Sequence, residues 1–225
     1  MITMRILLLS ALALSAGTSG AAVWTASDNT GGAIPDGSSA GLARSLVINA
    51  AGQAITNVQV NVNISATTGG TAFLGDLYAY LTNGTDLAIL ANRPGSRTGS
   101  PSGYSDDQSM NVSFSQLGTA DFHNYRLALN GSHTIPLSGL LTGIWEADGR
   151  LVDPASVLDT SPRTAGLDVF NGDTGDGTWS LFVADMSSGA THQLSSWSLE
   201  ITTIPEPSAA LLAAAAALLT VRRRR

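Results

Sequence analysis

The chain of 225 residues has no cysteine, which excludes a disulfide framework, a cysteine–zinc site, a thiol nucleophile and an iron–sulfur cluster. Lysine is missing too, since all eleven basic residues are arginine. That removes a P-loop lysine, a Schiff-base lysine and serine–lysine catalysis. Only His123, His133 and His192 are available for acid–base or metal chemistry, and no two of them stand at the spacing of a His-Glu-x-x-His site. Positive charge is scarce where a partner would meet it. With Arg5 and Arg222–Arg225 set aside, residues 22–206 hold six arginines against all seventeen acids, a net charge of about −11. No basic face is left to neutralise phosphates, so a nucleic-acid partner is excluded. The length fits one mid-sized β-rich domain with processing segments better than two full cores.

The two ends read as addresses. Residues 1–22 have the form of a secretory signal peptide: Arg5 supplies a short positive region, Ile6–Ala16 an apolar run, and Ser19-Gly20-Ala21-Ala22 small residues for cleavage. In residues 204–225, Ile204-Pro205-Glu206-Pro207-Ser208 precedes Ala209–Val221, built of Ala and Leu with one Thr and one Val, and then Arg222, Arg223, Arg224 and Arg225. As a helix this apolar run spans about 20 Å, short of the ~30 Å hydrocarbon core, so it is a marginal anchor that cytoplasmic arginines would halt and hold. The order Pro-Glu-Pro, apolar helix, arginine cluster resembles the PEP-CTERM sorting signal. The resemblance implies that an exosortase in the inner membrane of a Gram-negative bacterium recognises and cleaves the tail. The body would then pass from transient anchorage in that membrane to the cell envelope or the extracellular polymer matrix. A plain C-terminal membrane anchor is the alternative reading.

Between the addresses the dominant period is two. Ile55, Val58, Val60, Val62 and Ile64 alternate with Asn57, Gln59, Asn61 and Asn63, which predicts a strand with one buried and one wet face. Leu77–Leu81, Val112–Phe114, Trp179–Val183 and Trp197–Ile201 repeat the pattern between Gly, Asn, Asp and Pro turns. No long stretch sustains a helical apolar period, so the expectation is an all-β sandwich or barrel of antiparallel sheets. Residues 91–109 read as a polar surface excursion, and residues 142–165 as an irregular crossing pinned to the core by Trp145 and Leu151.

Ile34-Pro35-Asp36-Gly37, Ile55–Ile64, Gly75-Asp76-Leu77 with Leu81–Thr85, and the run Phe170-Asn171-Gly172, Gly177-Thr178-Trp179-Ser180-Leu181, Val183-Ala184-Asp185 and Leu194–Ile201 stand in order along residues 23–203. Together they resemble the P domain, or Homo B domain, that accompanies subtilisin-like proprotein convertases. The resemblance implies a galactose-binding-like jelly-roll β-sandwich and a family association with serine-type endopeptidase activity. Many members carry Ser-His-Thr just before Gly-Asp-Leu, where this chain has Ser65-Ala66-Thr67, so that histidine's role does not carry over. With about 22 residues ahead of the body, a preceding protease domain is not expected.

Asp168, Asp173 and Asp176 crowd one Gly-rich stretch and are the first candidates for a Ca²⁺ site, although the EF-hand order is absent and solvated turns remain the alternative. Gly37-Ser38-Ser39-Ala40-Gly41 fits the G-x-S-x-G pattern, but its flanks offer no strand-to-helix elbow. A triad drawn from Asp121, His123 and any serine rests on free choice. Gly177 should admit a tight turn, Trp179 and Trp197 should be buried, and Asp76 and Asp185 should fix loops by accepting backbone N–H bonds. Trp24 and Trp145 are left as the aromatics to test for sugar binding. The expected function is a non-catalytic exported module, structural or binding, in contact with extracellular polysaccharide. The alternatives are an accessory module in proteolysis, acting on a separate protease in trans, and a lectin-like carbohydrate binder.

Overall fold

In the computed structural model, which describes residues 20–68 and 70–204, ten strands follow one another along the chain. They are β1 (Ala22–Asp28), β2 (Gly32–Ile34), β3 (Ser38–Ile48), β4 (Ala54–Ala66), β5 (Leu77–Thr82), β6 (Leu87–Asn92), β7 (Met110–Ser115), β8 (Leu141–Trp145), β9 (Gly177–Asp185) and β10 (His192–Ile204). One short helix, α1 (Tyr125–Asn130), follows β7. The strands form a six-stranded sheet in the order β1-β10-β4-β7-β8, with β2 also paired to β10, and a four-stranded sheet in the order β3-β9-β5-β6. All pairs are antiparallel except β7 with β8. The proposed signal helix and sorting helix lie outside the described residues, apart from residues 20–22, of which Ala22 opens β1, and Ile204, which ends β10.

The period-two pattern decides which side faces in. Along β4, Ile55, Val58, Val60, Val62 and Ile64 are buried, and they meet Leu194, Trp197, Leu199 and Ile201 of β10 and Met110, Val112 and Phe114 of β7 in one core. Leu77, Ala79 and Leu81 of β5 and Trp179, Leu181 and Val183 of β9 close that core from the four-stranded sheet, which makes the body a β-sandwich. Trp179 and Trp197 are both fully buried, as their pattern predicts, and Phe170 packs edge-on against Trp179 with ring centroids 4.9 Å apart. Gly177 enters β9 at φ +116°, a left-handed-side backbone that a side chain would strain. Gly75 is required for another reason: a Cβ there would stand 2.5 Å from the Ser102 carbonyl oxygen and the Tyr104 nitrogen.

Two sequence expectations are corrected. Residues 91–109 are not a mere surface excursion, because Ala91 and Asn92 end β6 and Ser96, Tyr104 and Asp107 are buried in the irregular stretch that follows. Residues 142–165 begin with β8 rather than with irregular chain. Trp145 does pin this crossing to the core, at 4% exposure, whereas Leu151 stands 58% exposed and pins nothing. The polar side chains at 148, 150 and 163 hold the segment instead.

Candidate functional site

Two of the three histidines are committed inside the sandwich. His192 pairs across the ladder with Ala66, so a histidine does approach the Gly-Asp-Leu turn, from β10 rather than from β4. Its Nε2 lies 3.0 Å from the Phe73 N–H and 3.1 Å from the Phe73 carbonyl oxygen, and its Nδ1 bonds Asp185 at 2.6 Å. Asp185 also accepts the Ser187 N–H, and Asp76 lies beside it with Arg93 3.6 Å away. Burial first, and the Asp185 charge with it, push the Asp76 carboxyl above its ordinary range, against Ser187 and Arg93. The Gly-Asp-Leu and Val-Ala-Asp elements thus form one buried polar unit, in register at Leu77 and Asp185.

His123 is also fully buried, with Nδ1 2.9 Å from Asp148 and Nε2 2.9 Å from the Ser96 carbonyl. The triad drawn through Asp121 is not formed. Asp121 accepts the His123 backbone N–H and two hydrogen bonds from Arg150, while the ring turns to Asp148. Burial alone would raise the Asp121 carboxyl, but the Arg150 hydrogen bond and charge, with Arg163 behind them, hold it below the usual carboxylate range.

The third histidine sits by a second buried knot. Arg126 donates to Asp107 at 2.7 Å and to Asp106, and its guanidinium lies 4.4 Å from the centroid of the Tyr104 ring. Asp107 also accepts from the Tyr125 hydroxyl and the Leu137 N–H. Burial pushes the Tyr104 phenol up to about 12, and its hydroxyl bonds His133 Nδ1 at 2.7 Å. Beside His133, the Ser132 and Thr134 hydroxyls bond each other. The G-x-S-x-G stretch runs from a turn into β3, with no helix after it.

The outer face of the six-stranded sheet is of another kind. Register aligns Ser27, Ser198, Asn61 and Ser113 in one row across β1, β10, β4 and β7, and Ser196, Asn63 and Asn111 in the next. Ser113 donates to Asn61, and Asn61 donates to Ser198 at 3.0 Å. Between the rows runs a groove of about 160 Å³ whose floor is the backbone of Val62 and Trp197. Thr25, Glu200 and Gln59 form the row beyond, so Glu200 is the charged side chain in these three rows. The wet face of β4 was legible in the sequence; the rows were not, because they join residues from strands far apart along the chain.

The structure separates the three aspartates of the calcium expectation. Asp168 is exposed at the mouth of a cleft of about 210 Å³ shared with Gln116, Glu146 and Arg163. Asp173 accepts from Asn83 at 3.0 Å and faces the Asp86 carboxyl, and Asp176 accepts the Gly52 N–H at 2.5 Å. Among the described residues no three histidine or acidic side chains gather as a metal centre would need. Neither tryptophan left for sugar binding is an open platform. Trp145 is buried, and Trp24 is half-buried, with Nε1 donating to Thr203. Pro205, Glu206, Pro207 and Arg222–Arg225 lie outside the described residues.

No family model matches the chain, and no curated protein matches it. Among solved structures, a crystal structure of the Aeromonas sobria serine protease in complex with the chaperone ORF2 contains a chain similar to this one at 15% identity and a TM-score of 0.46. The match covers 83% of this chain and 28% of that one, so it spans less than a third of that neighbour's length.

Proposed function

We propose that the protein is a non-catalytic β-sandwich module with a structural or binding role, exported and sorted to the cell envelope or extracellular matrix. The observation that carries the non-catalytic half is the commitment of the histidines: His123 and His192 spend both ring nitrogens on buried partners, and His133 is bonded to Tyr104. A serine hydrolase needs an imidazole held against a nucleophile and oriented by an acid. Casein turnover and labelling by a covalent serine-hydrolase probe are both expected to be nil for the purified protein. Turnover that disappears in His133→Ala would overturn the reading.

Sorting is supported by the tail, in which Pro205-Glu206-Pro207, the Ala/Leu run and Arg222–Arg225 stand in the order of a PEP-CTERM signal for an exosortase. The intact mass of the surface protein should lack Ala209–Arg225, and neutral residues at 222–225 should impair retention. A mature protein that keeps the tail would defeat it.

The meeting of Gly75-Asp76-Leu77 with Val183-Ala184-Asp185 favours kinship with the P domain and its galactose-binding-like jelly roll, and with it a second reading as an accessory to a protease in trans. In that case the protein raises the melting temperature of a co-expressed subtilisin-like protease. An unchanged melting curve counts against it.

A further inference from the structure

We propose that the groove across the outer face of the six-stranded sheet binds a neutral polyhydroxylated chain, a glycan, laid across β1, β10, β4 and β7 between the Ser27–Ser198–Asn61–Ser113 row and the Ser196–Asn63–Asn111 row. This rests on the reading of the body as a non-catalytic binding module.

The composition of the face is the first argument. Asparagine is among the residues most depleted in strands, because its side chain competes for backbone hydrogen bonds and packs poorly on a pleated surface. A face that only had to stay wet would be served better by threonine or by charged side chains. Here every wet position of β4 from 57 to 63 is Asn or Gln, and β7 adds Asn111 on the same face. Local propensity is sacrificed in one place, side by side on neighbouring strands, and such violations concentrate where function demands them.

Hydrogen-bond capacity is the second. A primary amide offers two donors and two acceptor lone pairs, so it answers a hydroxyl in either role. Among the described residues, the side chains of Asn63, Asn111, Ser196 and Ser27 make no hydrogen bond to another residue, which leaves their full capacity facing the groove. Asn61 is held in place by Ser113 and Ser198 and keeps one N–H and one lone pair free. Strands lie about 4.8 Å apart, so four strands give a track about 14 Å long.

Charge selects the occupant. The rows offer no cation to an anionic polymer, and the body's net charge of about −11 repels one. A protein partner finds none of the aromatic or arginine anchors that centre such interfaces. A neutral glycan needs donors and acceptors without charge, and the groove supplies those.

The test is affinity electrophoresis of the full chain in gels containing dextran, a soluble mixed-linkage β-glucan, galactomannan or alginate, with gel filtration alongside. The parent should be retarded by at least one neutral polysaccharide and not by alginate. The double variant Asn63→Thr/Asn111→Thr should lose at least tenfold in affinity with no fall in melting temperature. Migration unaffected by all three neutral polymers, retardation by alginate above all, or retardation equal in parent and variant would overturn the proposal. So would a dimer in gel filtration that the same variant dissolves, because the face would then belong to a second copy. None of these results touches the non-catalytic reading, which stands or falls with the hydrolase probe.

Discussion

The segments at residues 93–109 and 121–163, which include α1 and β8, and the outer face of the six-stranded sheet divide the polar chemistry between them in an inverted way. These segments bury Arg126, Arg150, Asp107 and Asp148 to 3% exposure or less and pair them. The open sheet face, where charge costs least, carries amides and hydroxyls with Glu200 as the charged member of its three central rows. Charge in this molecule holds loops in place, and uncharged polarity is what the sheet presents. A buried ion pair stabilises little against an apolar substitute of the same shape, but removing one partner strands the other. The loops therefore have much to lose from a single substitution and the sheet face little.

The largest effect should follow from breaking a loop pair. Arg150→Met leaves Asp148 and Asp121 without their shared partner and should cost about 3–5 kcal/mol, a fall in melting temperature of roughly 10 °C, read by thermal or urea unfolding. An equal loss from substituting Asn63 would erase the contrast between the two regions.

Acid should sharpen the contrast, since two buried carboxyls shift in opposite directions. Asp121 is held below its ordinary value, so its contribution is present above the unfolded carboxylate pKa of about 3.9 and is lost as pH falls through the lower folded value. Asp76 is pushed up, so its contribution is complete below that unfolded pKa and is lost as pH rises through the raised folded value. Melting temperatures from pH 2 to 7 should show a shallower acid decline in Asp121→Asn than in the parent. In Asp76→Asn, stability relative to the parent should improve from about pH 4 upward. Parallel curves for all three proteins would contradict both shifts.

On the sheet face, Asn63→Thr and Asn111→Thr should each change stability by only a few tenths of a kcal/mol, in the favourable direction, measured as a rise in melting temperature of about 1 °C. A fall of several degrees would mean that the amides hold the sheet together.

Calcium should act least. Desolvation first, and then the facing Asp173 carboxyl, raise the Asp86 carboxyl, and a cation there relieves the repulsion between the two. A rise of about 1–3 °C in Ca²⁺ over EDTA, absent in Asp173→Asn, is expected. Coincident melting curves would remove calcium from the molecule's chemistry.

The sequence disclosed the sandwich where one face of a strand is wet and the other dry, as in β4, β5, β7, β9 and β10. It concealed β6 because residues 147–165 cover its outer side: Ile89 and Gly149, and Ile89 and Ala165, share backbone hydrogen bonds, so Ala88–Asn92 is buried on both faces and shows no alternation. In β3 the alternation is interrupted by an irregularity between Ser38 and Leu42, around Gly41 at φ +57°. The polarity of 91–109 suggested a surface loop, but its Asp107 is paired with Arg126 and its Ser96 with the carbonyl of Val157, partners that composition cannot reveal. For the same reason Asp173 faces Asp86, far from it along the chain, while Asp176 turns to the Gly52 N–H.

The pairing of β1 with β10 has a mechanical consequence. Ala22 stands opposite Thr203, so the chain enters and leaves the sandwich at one corner, on neighbouring antiparallel strands. A load between those two points opens the β1–β10 ladder one rung at a time, like a zipper. A load that arrives through Ile204 and is resisted at the sheet face pulls β10 lengthwise between β1 and β4, and many rungs share it at once. Single-molecule pulling between residues 22 and 204 should yield at lower force than pulling between 204 and a residue of β7, and equal forces would refute this. Held through Ile204 and loaded at its sheet face, the sandwich would be oriented along its strong direction.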